Sequence, residues 1–373
     1  MTNNETPKCK ILVCIGTRPE AVKMSAFINL ARQDSFFQCY VCATGQHVEL
    51  FNDVASELEI QTDYNLNIMR KNQSLEYVLS EVVNKVSKII TDIKPKYVLV
   101  HGDTTTCLGS SLAAYYCGVK TLYIEAGWRS NNCQYSFPEE MHRILATKLA
   151  TYYFCTNKYN FETLIEEKIA PEKIFVIGNP IEDVLRTTVC NNYVFQNPKI
   201  NDVLNLKKHI IPITFHRREN RGKIRDLVTA LKNILLSEQT LSFVWIYHPN
   251  YPDDILDYLK AAQTENFIVF PPLSVTDTHN LLYRASVVIT DSGGIQEETS
   301  IMGIPTIILR EINERQSMLG KIHVVSSIAE QDIKSKIFDL IALKNKPNSV
   351  YEIGGNGNAS NKLLSIIKNE LES

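Results

Sequence analysis

Short apolar runs rich in Val, Ile and aromatic residues recur along the chain, separated by stretches whose apolar positions repeat at helical spacing. The runs read as buried strands. KILVCI, QCYVCA, YVLVHG, TLYIEA, YYFCT and KIFVIG lie in the first half, and HIIPITF, SFVWIYH, FIVF, SVVIT and PTIIL in the second. Helical spacing covers Glu20–Arg32, Ser74–Ile93, Thr105–Cys117 and Pro138–Ala150. Strands alternating with helices predict an α/β fold with parallel sheets covered on both faces.

A chain of 373 residues exceeds what one hydrophobic core usually serves. Gly178-Asn179-Pro180 breaks it after KIFVIG, and the polar segment Asn191–Lys208 reads as a connection into a second sheet. Two doubly wound domains with a cleft between them are expected, residues 1–178 with 360–373, and residues 179–359. The helical spacing of Asn361–Leu371 is read as a return onto the first domain.

Composition narrows the function. The formal net charge of −2 provides no basic field for nucleic acid or an anionic membrane. No apolar run reaches membrane-spanning length, and MTNNETPKCKILVCIG lacks the pattern of a secretory signal. Of the nine cysteines only Cys39 and Cys42 have metal-like spacing, on an apparent strand without a partner motif. Reduced cysteines in a cytoplasmic protein are therefore expected. No HExxH or EF-hand pattern occurs, so no metal is expected, and without GxGxxG or GxxxxGK[ST] neither a dinucleotide cofactor nor P-loop chemistry is.

Candidate chemistry gathers where strands end, the edge at which an open α/β sheet meets its ligand. In GTRPEAVKMS, Gly16 permits a tight turn and Pro19 suits a helix start, whose N–H groups hold anions. Arg18 and Lys23 add positive charge there; the alternative is a capped helix with two surface cations. In TDSGGIQEE, Ser292, Gly293 and Gly294 form a turn before a helix expected to start near Ile295, with Glu297 and Glu298 in its first turn. That geometry suits a diphosphate, and one acid suits a ribose diol; simple dipole capping by the acids is the alternative. FHRREN brings His216, Arg217 and Arg218 to another strand end, with Glu219 placed to orient an arginine, and YHPN brings His248.

The densest signal is acidic. Asp103 follows YVLVHG, Glu125 ends TLYIEA with Arg129 nearby, and Glu139 with Glu140 opens the helix after Pro138. Arg143 falls one turn on, spaced for an (i, i+4) pair with Glu139. Any one of these acids can be a helix cap, but three in one tract point to proton transfer.

In this order, GTRPEAVKM, TGQH, HGDTTT, EAG, PEEMHR, GN-P, FHRREN, HPN, TDSGGIQEE and GGNGNAS closely resemble the non-hydrolysing UDP-N-acetylglucosamine 2-epimerases of bacteria, over almost the whole chain. The resemblance implies two Rossmann-like domains in the GT-B arrangement. It implies a UDP-sugar substrate, commonly a homodimer, and a role in surface polysaccharide biosynthesis. By resemblance Asp103, Glu125 and Glu139 would be the acid/base carboxylates, with His216 near the diphosphate. Arg18, Lys23, Ser292, Gly293 and Gly294 would hold the diphosphate and Glu298 the ribose, with Arg143, Arg217, His248 and Arg310 also binding substrate.

The chain departs from the family at Trp128, usually Leu or Asn, in the loop SNNCQYS, and at LREINERQSM, where Gln316 replaces a proline. Some relatives have an allosteric substrate site around TGQH and an MK-x-x-Q stretch. Here Gln46 and His47 are present and the second stretch reads MRKNQ, with Asn72 before the Gln. A hydrolysing 2-epimerase, and a 2-epimerase for another UDP-amino sugar, stay open as alternatives.

Overall fold

The computed structural model describes residues 9–45, 48–70, 73–134, 136–206, 208–249, 251–310, 320–343 and 357–371. Gln46, His47, Asn72, Gln316 and the first half of GGNGNAS lie outside the described residues.

The chain divides into two compact units, Met1–Val184 with Asn356–Ser373, and Leu185–Gly355. The first holds β1 (Cys9–Ile15), β2 (Phe37–Ala43), β3 (Tyr64–Asn65), β4 (Tyr97–His101), β5 (Lys120–Ile124), β6 (Tyr152–Cys155) and β7 (Ile174–Val176). Their order is β3-β2-β1-β4-β5-β6-β7, every described pairing being parallel. The second holds β8 (His209–Thr214), β9 (Leu241–Ile246), β10 (Phe267–Phe270), β11 (Val288–Thr290), β12 (Thr306–Ile308) and β13 (His323–Val325). Its order, β10-β9-β8-β11-β12-β13, repeats the same winding. In each sheet the order reverses once, between β1 and β4 and between β8 and β11. At such a switch point the connections leave in opposite directions and open a crevice at the carboxyl ends of the strands.

The apolar runs bury as expected. Leu12, Val98, Val100 and Tyr123 belong to the core of the first unit, and Ile211, Phe243, Trp245 and Ile289 to that of the second. The two strands that the apolar runs did not mark, β3 and β13, are short edge strands. The connection Asn191–Lys208 contains a helix, Pro198–Asn205, capped by the Asn197 side chain on the Lys199 amide. Its Ile200 and Val203 pack into a small core with Phe195 and Leu281.

The segment from Gly357 onward belongs to the first unit. Helix Ala359–Ile366 packs on helix Arg18–Gln33 and buries Leu363, Leu364 and Ile367 beyond it. Its amino end is fixed by Asp183, which accepts from the Ser360 amide at 2.8 Å, and Leu371 O accepts from the Tyr97 hydroxyl at 3.1 Å.

All nine cysteines are free, with Cys133 and Cys190 exposed. Among the described residues no helix is long and apolar enough to cross a membrane.

His323 on β13 is 2 % exposed, and burial lowers its pKa from 6.5 to about 4. Folding therefore favours the neutral ring. That contribution is complete above pH 6.5 and is lost as pH falls toward 4, on the order of 3 kcal/mol. His323→Leu is expected to flatten the acid limb of stability in denaturant unfolding between about pH 7 and 4. An acid limb as steep as that of the wild type would reject this assignment.

Candidate active site

At the first switch point the turn after β1 meets the turn after β4. Gly16 is packed between the segments that follow β2 and β4, where an added Cβ would come within 2.0 Å of Thr106 Oγ1 and 2.7 Å of Thr44 Oγ1. Thr17 is the N-cap of helix Arg18–Gln33, with Arg18 its first residue and Pro19 its second. Glu20, 2 % exposed, closes the turn: Oε2 accepts from the amides of Gly16 (3.0 Å) and Thr17 (2.8 Å) and from Thr17 Oγ1 (2.8 Å). Oε1 accepts from Thr104 Oγ1 at 2.7 Å, which ties the two turns together. Burial pushes its carboxyl up to about 7, against the lowering effect of these bonds. Glu20 is not among the residues expected from the motifs, although Thr17 and Glu20 have the T-x-x-E spacing of a capping box.

One helical turn beyond Glu20, Lys23 donates to Glu125 Oε1 at 2.9 Å, each side chain 7 % exposed. His101, the last residue of β4, places Nε2 3.2 Å from Glu125 Oε2. Glu125 follows β5 with φ 65°, in the left-handed region that non-glycine residues rarely occupy. Gly102 (φ 70°) and Gly127 (φ 96°) take the same hand, and the Gly127 hydrogen side faces the Asn160 carbonyl.

Asp103 is held from the helix Glu139–Leu149. Arg143 Nη2 donates to Asp103 Oδ2, and His142 Nδ1 donates to the Asp103 carbonyl at 2.9 Å. Burial lowers the His142 pKa. Arg143 also donates to Glu140 Oε2 at 2.9 Å, an (i, i+3) pair beside the expected partner Glu139. Glu140, 1 % exposed, accepts from the amides of Ser130 and Asn131 at 2.9 and 3.0 Å, so it is a loop anchor. Glu139 is the half-buried first residue of this helix. Arg129 turns away from Glu125 and pairs with Glu167 at 2.7 Å, with further bonds to Thr147 and the Trp128 carbonyl. Trp128 is 2 % exposed, a core residue of this loop.

The second unit repeats the plan. Asp291, 0 % exposed after β11, accepts from the amides of His216 (3.1 Å) and Arg217 (2.8 Å) and from Asn220 Nδ2 (3.1 Å). The His216 ring stacks on His248 with centroids 5.0 Å apart. Helix Gly293–Ile301 starts two residues earlier than expected, capped by Ser292. Glu297 and Glu298 therefore lie past its first turn, where dipole capping does not explain them. Glu298 faces His279 at 3.9 Å. Arg310 has a 1 % exposed side chain 3.7 Å from Glu219, which thus faces Arg310. The free N–H groups of Gly293 and Gly294 lead this helix, as an anion site requires.

The model of the UDP-N-acetylglucosamine 2-epimerase family matches residues 29–368. The UDP-N-acetylglucosamine 2-epimerase of Escherichia coli K12 is 32% identical, over 96% of this chain and 98% of its own. The crystal structure of UDP-GlcNAc 2-epimerase from Neisseria meningitidis bound to UDP-GlcNAc is similar at TM-score 0.84 and 32% identity, over 96% and 100% of the two chains. The Staphylococcus aureus MnaA–UDP structure is similar at TM-score 0.87 and 32% identity, over 97% of each chain. With motifs, winding and strand-end geometry in agreement, this chain belongs to the UDP-N-acetylglucosamine 2-epimerase family.

Proposed function

We propose that the protein interconverts UDP-GlcNAc and UDP-ManNAc without hydrolysis, by eliminating UDP to a glycal and adding it back. The observation that carries this reading is the pair Asp103 and Glu125. They leave the adjacent strands β4 and β5, each with its own cation, Arg143 and Lys23.

The proton at carbon 2 is not activated by a carbonyl, so UDP departure must first develop positive charge at carbon 1. The C1–O bond breaks with its electron pair passing to the diphosphate. A carboxylate takes the carbon 2 proton, and the C–H electrons form the double bond. Protonation on the opposite face and return of UDP to carbon 1 complete the inversion. Inversion needs either more than one acid or a sugar that shifts in the site, and Asp103, Glu125 and Glu139 as a set suit the first. The leaving diphosphate needs preorganised donors. Ser292, Gly293, Gly294, Arg18, Lys23, Arg217, Arg310 and His248 are the candidates, with His216 beside the phosphates and Glu298 on the ribose. In this reading the enzyme is a cytoplasmic homodimer that needs no cofactor and supplies surface polysaccharide biosynthesis.

Proton NMR in deuterated water tests it. Incubation with UDP-GlcNAc is expected to place deuterium at carbon 2 of an intact UDP-sugar. Free UDP rising in step with turnover would identify the hydrolysing reaction instead. Exchange confined to another UDP-amino sugar would move the substrate assignment.

A further inference from the structure

We infer that Asp291 is a positioning residue for His216, fixing the ring so that Nε2 is presented to the leaving diphosphate. The inference rests on the reading of His216 as a diphosphate-facing group.

Asp291 is the fully buried residue after β11, and β11 is the neighbour of β8, whose end leads to His216. Each of its two oxygens faces one backbone amide and one side chain. Oδ1 accepts the His216 amide at 3.1 Å and lies 3.7 Å from His216 Nδ1. Oδ2 accepts the Arg217 amide at 2.8 Å and Asn220 Nδ2 at 3.1 Å. Asn220 also reaches the Leu309 carbonyl at 3.1 Å, next to Arg310. His248 stacks on the imidazole at an interplanar angle of 24°. At 3.7 Å the carboxylate is within ion-pair reach of Nδ1 but beyond a hydrogen bond, so it acts on the ring through its charge; with His248 on one face, the nitrogen on the far side is Nε2.

The charge of Asp291 is the informative part. A buried anion behind a phosphate site repels the ligand, and amide donors alone can be satisfied by a neutral acceptor. The anion is useful if it holds the Nδ1–H tautomer and stabilises the imidazolium, as carboxylates do behind catalytic histidines. Burial lowers the His216 pKa, and Asp291 is the leading opposing influence. A plain loop staple would also bind the amides, and Glu20 does so in the first unit. The roles separate in their coupling to His216.

The test is steady-state kinetics of the full chain with UDP-GlcNAc for Asp291→Asn, His216→Asn and the double variant. UDP affinity by calorimetry and thermal unfolding are followed in parallel. Asp291→Asn is expected to lower kcat by about 10–100-fold with KM nearly unchanged, the size of loss seen when a metal-bound histidine loses its outer carboxylate. The double variant is expected to be no slower than His216→Asn. Losses that multiply, or a folded Asp291→Asn with wild-type kcat, would overturn the inference. Wild-type turnover in His216→Asn would instead overturn the reading of His216 itself, and the inference with it. If Asp291→Asn does not fold, nitrogen-15 NMR of the wild type with UDP decides. Protonated Nδ1 supports the inference, and an Nε2–H neutral ring overturns it.

Discussion

Glu125→Gln is expected to lower turnover by roughly 10²–10⁴-fold while leaving UDP affinity close to that of the wild type. The substitution preserves shape and removes the ability to take a proton, together with the charge that faces Lys23. Glu125 is 7 % exposed, in contact with Lys23 at 2.9 Å and His101 at 3.2 Å. Its backbone sits at φ 65° without being glycine. A side chain kept in that conformation costs on the order of 1–3 kcal/mol, which a protein retains where geometry at the residue matters. Ser292, Gly293, Gly294, Arg217, His248 and Arg310, most of the proposed UDP contacts, lie in the second unit, so affinity for the nucleotide and chemistry at carbon 2 should part company in this variant. The measurement is carbon 2 exchange in deuterated water beside calorimetric UDP binding. Exchange at the wild-type rate would remove Glu125 from the chemistry.

The second large effect is on stability. Gly127→Ala is expected to destabilise the first unit by about 3 kcal/mol, from backbone strain together with overpacking. Gly127 has φ 96°, and an added Cβ would lie 2.4 Å from the Asn160 carbonyl oxygen and 2.9 Å from its carbon. These are backbone atoms of helix Lys158–Glu166, so relief requires the helix or the loop to shift. A shift of the loop moves Glu125 two residues away, so activity should fall along with stability. Denaturant unfolding and turnover are measured on the same preparation. A variant with both unchanged would show that the turn tolerates a side chain and that EAG owes nothing to this contact.

The buried strands were legible because a parallel sheet covered on both faces leaves continuous apolar runs such as YVLVHG and TLYIEA. Strands β3 and β13 were not, because two or three residues at a sheet edge carry no periodicity. The acids Asp103 and Glu125 stood out because each follows such a run. Their partners did not. Lys23 is 102 residues from Glu125 and Arg143 is 40 from Asp103, separations that only the winding of the sheet resolves. Asp291 directly follows the run SVVIT, and nothing local distinguishes a buried acceptor from a solvated cap. Glu20 could have been found, since T-x-x-E before a helix is a local signal. Arg129 looked like a neighbour of Glu125, but its partner Glu167 comes from a distant helix end.

The return of helix Ala359–Ile366 to helix Arg18–Gln33 bears on how the chain is made. The first unit is begun before the second and completed after it. Between Val184 and Gly357 the whole second unit is synthesised, which at about 5–20 residues per second takes roughly 10–35 s. During that interval Asp183 and Tyr97 wait for Ser360 and Leu371. The apolar surface destined for Leu363, Leu364 and Ile367 stays uncovered. Completion of the first unit's core is therefore deferred until the returning helix is available.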